Sequence, residues 1–151
     1  MYLKRNVYKR LIEWKNSVDH STLEVNGARQ VGKTYLINKF ADEYFKQKIY
    51  INLFELSGKQ FLECYEQAIA WKPGTKRPEH PLHDAFLLYE PSFQDTEDTV
   101  IIIDEIQESA EIYNRIREFT RQFKCRFIVT GSYLGRVYDS EFGFPVEMLQ
   151  N

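Results

Sequence analysis

The sequence predicts an α/β fold, with a mostly parallel sheet and helices on both of its faces, and three observations carry that expectation. A glycine-bearing loop, Gly27-Ala28-Arg29-Gln30-Val31-Gly32-Lys33-Thr34, sits between a strand-like stretch and a helix-like one. A β-branched run, Val100-Ile101-Ile102-Ile103, leads directly into an acid pair, Asp104-Glu105. Throughout the chain, short stretches rich in β-formers alternate with stretches of three- and four-residue apolar spacing, the pattern of strand–helix–strand units. Right-handed crossovers then bring the C-terminal ends of the strands to one edge.

The elements follow in order. Residues 5–15 place Val7, Leu11 and Trp14 on one face, with Tyr8 and Ile12 beside them, as in an amphipathic helix. Residues 16–21 are polar and read as a loop. Thr22 to Asn26 alternates like a first strand, and Thr34 to Phe45 sets Ile37, Phe40 and Tyr44 at helical spacing. Asp42 and Glu43 near the end of that helix oppose its dipole. Lys48 to Phe54 is a second strand. Gly58 introduces a helical stretch in which Phe61, Leu62, Tyr65, Ala68 and Ile69 recur. Trp71 to Pro81, with three prolines, is a loop, and Leu82 to Tyr89 a short helix. Pro91 to Thr99 is an acidic connection. Val100 to Ile103 reads as a strand buried on both faces. A helix over Glu108 to Phe123 carries the stripe Ile112, Ile116, Phe119 and Phe123, and Arg126 to Thr130 is a fourth strand.

Composition sets the outer bounds. The chain has 151 residues, 43% hydrophobic and 28% charged, which suits one soluble domain, 1–151. A net charge of −2 gives no overall field that would draw nucleic acid or an acidic membrane. Cys64 and Cys125 lie far apart and read as two thiols in a reducing compartment. No apolar run approaches membrane-spanning length and the N-terminus lacks a signal-peptide core, so a cytoplasmic location is expected.

The loop carries the first piece of chemistry. Its spacing, G-x-x-x-x-G-K-[ST], is that of a phosphate-binding P-loop. The glycines let successive backbone N–H groups turn into one concavity that suits a phosphate chain. Lys33 reaches the β- and γ-phosphates, and the Thr34 hydroxyl is placed to ligate Mg²⁺. The following helix, which begins near Tyr35, turns its positive end toward the same anion. The acid pair carries the second piece. Asp104 stands where open α/β sheets place their ligands and is suited to hold Mg²⁺ through water. Glu105, projecting differently, is suited to take a proton from an attacking water.

Other features receive plainer readings. His80 and His83 have no acid or cysteine at ligand spacing, so no metal is expected there. Arg115, Arg117, Arg121 and Lys124 read as a solvated cationic face rather than a DNA-binding one.

Three phrases together resemble a family. G-A-R-Q-V-G-K-T, then I-I-I-D-E-I-Q, then T-G-S-Y-L-G-R with F-P-V soon after, resemble the AAA-type ATPases of bacteria and archaea that carry a C-terminal domain of unknown function. The resemblance runs from the Y-L-K-R start to Pro145-Val146. It implies a three-layer P-loop fold of the additional-strand type, with strand order 5-1-4-3-2. It implies ATP and Mg²⁺, with Gly27 through Tyr35 around the nucleotide, Lys33 on phosphate, Thr34 and Asp104 on the metal, and Glu105 as catalytic base. Ser132 would match the polar sensor near the γ-phosphate.

The family continues past the F-P-V phrase into a fifth strand, a lid and a further domain, and it usually has glycine where Glu147 stands. On that comparison the chain is expected to be an isolated, truncated core with weak hydrolysis and with strand 22–26 as an open edge available for self-association. Arg29 and Arg136 are the candidates to help with phosphate charge. Two other readings stay open at this point: a nucleotide-gated interaction module in which Glu105 is idle, and a small-molecule kinase with Trp71–Pro81 as its lid.

Overall fold

The computed structural model describes residues 2–18, 21–26 and 31–131. Among them are four strands, β1 (Leu23–Asn26), β2 (Gln47–Asn52), β3 (Thr99–Asp104) and β4 (Arg126–Gly131). They form one sheet in the order β1-β4-β3-β2, and every neighbouring pair is parallel. This is the 1-4-3-2 portion of the order that the resemblance implies. All six residues of β3 are buried, because it runs inside the sheet between β2 and β4 and is covered on both faces. A Val-Ile run without polar alternation has no other comfortable place.

The period of two divides the sheet's side chains between two cores. Val100 and Ile102, with Leu23, Val25 and Ile128, pack under α1 (Tyr2–Asn16) and α2 (Val31–Tyr44) through Leu11, Trp14, Ile37 and Phe40. Ile101 and Ile103, with Ile49, Ile51, Phe127 and Val129, pack under α3 (Leu56–Ile69), α4 (Pro81–Tyr89) and α5 (Ala110–Phe119) through Phe61, Tyr65, Phe86, Ile112 and Ile116. Each such side chain contributes about 1.5–3 kcal/mol by leaving water. Phe61 and Phe86 stack at 4.9 Å and join α3 to α4.

Local chemistry explains several helix ends. The buried Arg126 guanidinium donates to the carbonyls of Lys15 and Ser17, at 3.1 and 2.9 Å, where α1 stops. A cation there offsets the negative end of the helix. Of the two acids near the end of α2, Asp42 has a local counter-charge, since Lys48 Nζ lies 2.9 Å from it.

Two elements differ from the sequence expectation. Gly58 does not precede α3 but lies in its first turn. A Cβ at that position would sit 2.3 Å from Leu53 Cα and 2.5 Å from the Asn52 carbonyl, so the glycine marks a close approach of helix to strand end. The helix expected over Glu108–Phe123 is shorter and flanked by two 3-10 turns, Ile106–Glu108 and Thr120–Gln122. Ser109 breaks it: its hydroxyl accepts from Ile112 N at 3.2 Å and caps α5. Thr120 then turns inward, and its hydroxyl accepts from that of Thr22 at 2.8 Å.

The side features are now placed. Cys64 and Cys125 are both free thiols, and burial raises the pKa of each. His83 stacks on Phe123 at 5.9 Å and lies near Phe93. Arg77 covers the Trp71 ring at 5.0 Å and Lys76 lies 3.5 Å from Glu79, so these two basic side chains of the 71–81 loop are engaged within it. Arg115 donates to Tyr65 at 3.1 Å. Among the described residues no helix is long and apolar enough to cross a membrane.

Candidate functional site

The register of the sheet builds the site before any side chain is considered. In β3, Asp104 follows Val100 and Ile102 in alternation and therefore faces α2. In β2, Tyr50 pairs with Ile102 and Asn52 with Asp104, so Tyr50 stands on the same face, one step back along the sheet. In β4, the pairing of Ile103 with Val129 sets Thr130 level with Asp104. The first turn of α2, which holds Gly32, Lys33, Thr34 and Tyr35, lies over this row.

Four donors converge on the Asp104 carboxylate. Thr34 donates its hydroxyl to Oδ2 at 3.4 Å, and Tyr50 donates to the same oxygen at 2.7 Å. The Thr130 hydroxyl and the Glu105 backbone N–H donate to Oδ1, the latter at 2.9 Å. An ionised carboxylate offers about four lone-pair positions, and these four contacts match that capacity. Burial, and then the contact with Asp104, push the Tyr50 phenol well above its usual pKa, so it remains a donor.

After Asp104 the chain leaves the strand abruptly. Glu105 has φ 56° and ψ 46°, the one left-handed non-glycine residue among those described. That conformation costs about 1–2 kcal/mol for a residue with a Cβ. It ends the strand's alternation at Asp104 and turns the chain into the 3-10 turn that follows. Gln107 donates to the Glu105 carboxylate at 3.4 Å. Gly131, at the end of β4, is packed against this turn: a Cβ there would lie 2.5 Å from Gln107 Oε1 and 3.0 Å from Ile106 Cγ2.

The expected phosphate residues fall on α2's first turn, where the initial N–H groups of a helix lack intrahelical partners. Asn38 ties this turn down by donating to the Thr34 carbonyl at 2.9 Å. Lys33 is half-buried, and desolvation lowers its pKa from the ordinary lysine value; an anion opposite it would offset that penalty. The Tyr35 side chain is 60% exposed, so its contribution to a ligand would come from the backbone. Gly27, Ala28, Arg29 and Gln30 lie outside the described residues, as do Ser132, Arg136 and Glu147, and only the backbone of Val31 is described.

The structure thus brings together Thr34, Asp104 and Glu105 from segments 70 residues apart. It adds Tyr50, Thr130 and Gln107, which the sequence reading left unassigned. Tyr50 looked like any strand aromatic. Only the strand order, which brings β2 and β4 to either side of β3, distinguishes Tyr50 and Thr130. No group of three His, Cys, Asp or Glu side chains gathers among the described residues. The oxygen donors of Thr34 and Asp104 do suit a hard cation such as Mg²⁺, which takes one or two protein ligands and completes its shell with phosphate and water.

A solved structure named "ATPase" is similar at 16% identity and a TM-score of 0.41, over 87% of this chain and 61% of that one. The chain therefore spans about three-fifths of that protein's length. No curated protein matches the sequence. The sequence model of a family described as "AAA domain" matches residues 19–141. That span contains the four described strands, Lys33 and Thr34 on α2, and the Asp104–Glu105 pair, and on it the chain belongs to the family described as "AAA domain".

Proposed function

We propose that this chain binds ATP with Mg²⁺ and hydrolyses it at the end of β3. The observation that carries this reading is the meeting of Thr34, on the helix after the glycine loop, with Asp104, beside a buried Glu105. Lys33 and the first N–H groups of α2 hold the phosphates. Thr34 and Asp104 are the residues that would hold Mg²⁺. Bound there, the ion would supply positive charge that offsets the negative charge of the phosphates. Glu105 accepts a proton from the attacking water as the water oxygen bonds to the γ-phosphorus, the bond from that phosphorus to the β–γ bridging oxygen breaks, and ADP and inorganic phosphate leave. Gly27 to Gln30, as the rest of the phosphate cradle, and Ser132, as a hydroxyl near the γ-phosphate, enter this reading from the sequence.

One contact favours a second reading. Gln107 donates to one oxygen of the Glu105 carboxylate, a contact that suits an acid with a structural role in a protein that uses nucleotide only to change shape.

Calorimetric titration of ATP and ADP with Mg²⁺ tests the binding step. The wild-type chain is expected to bind saturably. Lys33→Ala is expected to weaken binding about 10- to 100-fold, the worth of one charged hydrogen-bond donor to phosphate. Equal affinity in the two proteins would remove Lys33 from the site, and a folded wild type that binds neither nucleotide would end the proposal.

A further inference from the structure

We infer that Tyr50 is a positioning residue for the Asp104 carboxylate, fixing the orientation in which it faces Thr34 and so tuning the site's response to Mg²⁺. The inference rests on the nucleotide reading above. It concerns a residue on β2, a strand that contributes neither the phosphate loop nor the acid pair.

The argument starts from reach. Tyr50 is in register with Ile102, two residues short of Asp104 along the sheet. Side chains in that diagonal relation are about 7–8 Å apart at their backbones, too far for a short hydroxyl but within range of a phenol. The ring is partly buried against the core under α1 and α2. Phenylalanine would fill the same space. The hydroxyl is what the packing does not require, and it makes a 2.7 Å bond to Asp104 Oδ2, a short contact of the charge-assisted kind.

The four donors are also unequal. Thr130 and the Glu105 N–H hold Oδ1, while Tyr50 and Thr34 share Oδ2. The Thr34 contact, at 3.4 Å, is much the longer of the two on Oδ2, and hydrogen bonds weaken with length. Thr34's place on Asp104 is therefore the one yielded at least cost. With Oδ1 held on one side and Tyr50 gripping Oδ2 on the other, the side chain is held against rotation about both its Cα–Cβ and Cβ–Cγ bonds, and one side of Oδ2 stays turned toward Thr34. Without the phenol, Asp104 would keep its backbone position but gain rotational freedom, which a cation or its water would have to remove on binding.

The test compares wild type with Tyr50→Phe in the whole chain. Calorimetry measures ATP affinity with and without Mg²⁺, and NMR three-bond couplings follow the Asp104 torsion about its Cα–Cβ bond without nucleotide. The expected result is unchanged metal-free affinity, a loss of about tenfold in the enhancement by Mg²⁺, and an averaged Asp104 torsion, with thermal unfolding close to wild type. A tenfold loss corresponds to about 1.4 kcal/mol. Equal Mg²⁺ enhancement in the two proteins overturns the inference. Should the wild type bind no nucleotide, the proposed function fails instead, and the couplings alone decide: an averaged torsion in Tyr50→Phe supports the positioning role, and a single retained rotamer overturns it.

Discussion

Glu105→Gln is expected to lower ATP turnover by about 10²- to 10⁴-fold while leaving ATP affinity within about twofold. That range is what a positioned general base contributes. Glutamine preserves the size of the side chain and its capacity to bond to Gln107, so the left-handed turn at Glu105 and the neighbouring Asp104 should stay in place. What is lost is the ability to accept a proton. Steady-state phosphate release measured beside calorimetric binding separates the two effects. A variant that binds ATP and turns it over within about threefold of wild type would show that Glu105 is not the base, whereas a wild type that binds ATP with no measurable turnover would favour the nucleotide-gated reading, in which the acid is idle.

Gly58→Ala is expected to destabilise the protein by about 2 kcal/mol, although alanine is the better helix former. Two effects oppose each other here. Propensity favours alanine inside a helix by about 1 kcal/mol. Against it, the added methyl would lie 2.3 Å from Leu53 Cα, 2.5 Å from the Asn52 carbonyl oxygen and 2.8 Å from the Leu53 carbonyl carbon. All three are backbone atoms that cannot swing aside, and relief requires α3 to move off the end of β2. Such overpacking costs about 1–3 kcal/mol and at times more. Because Asn52 pairs with Asp104, the same shift would be felt at the site. Urea unfolding of the two proteins gives the sign directly. A variant as stable as wild type or more so would mean that α3 moves off the end of β2 at little cost.

Much of the fold was legible in the residues because the relevant signals are local. Val100 to Ile103 has no polar face, so it must be covered on both sides, and the sheet buries all of it. The alternation of strand and helix periods required crossovers and a parallel sheet. The breaks in the α5 region were less legible. Ser109 and Thr120 each act through one hydroxyl, Ser109 on a backbone N–H three residues on and Thr120 with a partner 98 residues away, and apolar spacing runs through such positions without a mark.

The site divides along the same line. Lys33, Thr34, Asp104 and Glu105 announce themselves because each belongs to a short motif whose chemistry depends on residue type and spacing within a few positions. Tyr50, Thr130 and Gln107 do not, because their roles depend on which strands are neighbours and on a single backbone torsion at Glu105. The sequence by itself determined a parallel α/β sheet, a glycine-bearing segment ahead of a helix, and an acid pair at a buried strand's end. Only the tertiary structure decided that β2 and β4 flank β3, and therefore that a tyrosine and a threonine from separate strands close on one carboxylate. Hydrogen bonds are directional and short-ranged, and side chains distant in sequence can form them only after packing has fixed the register between their strands.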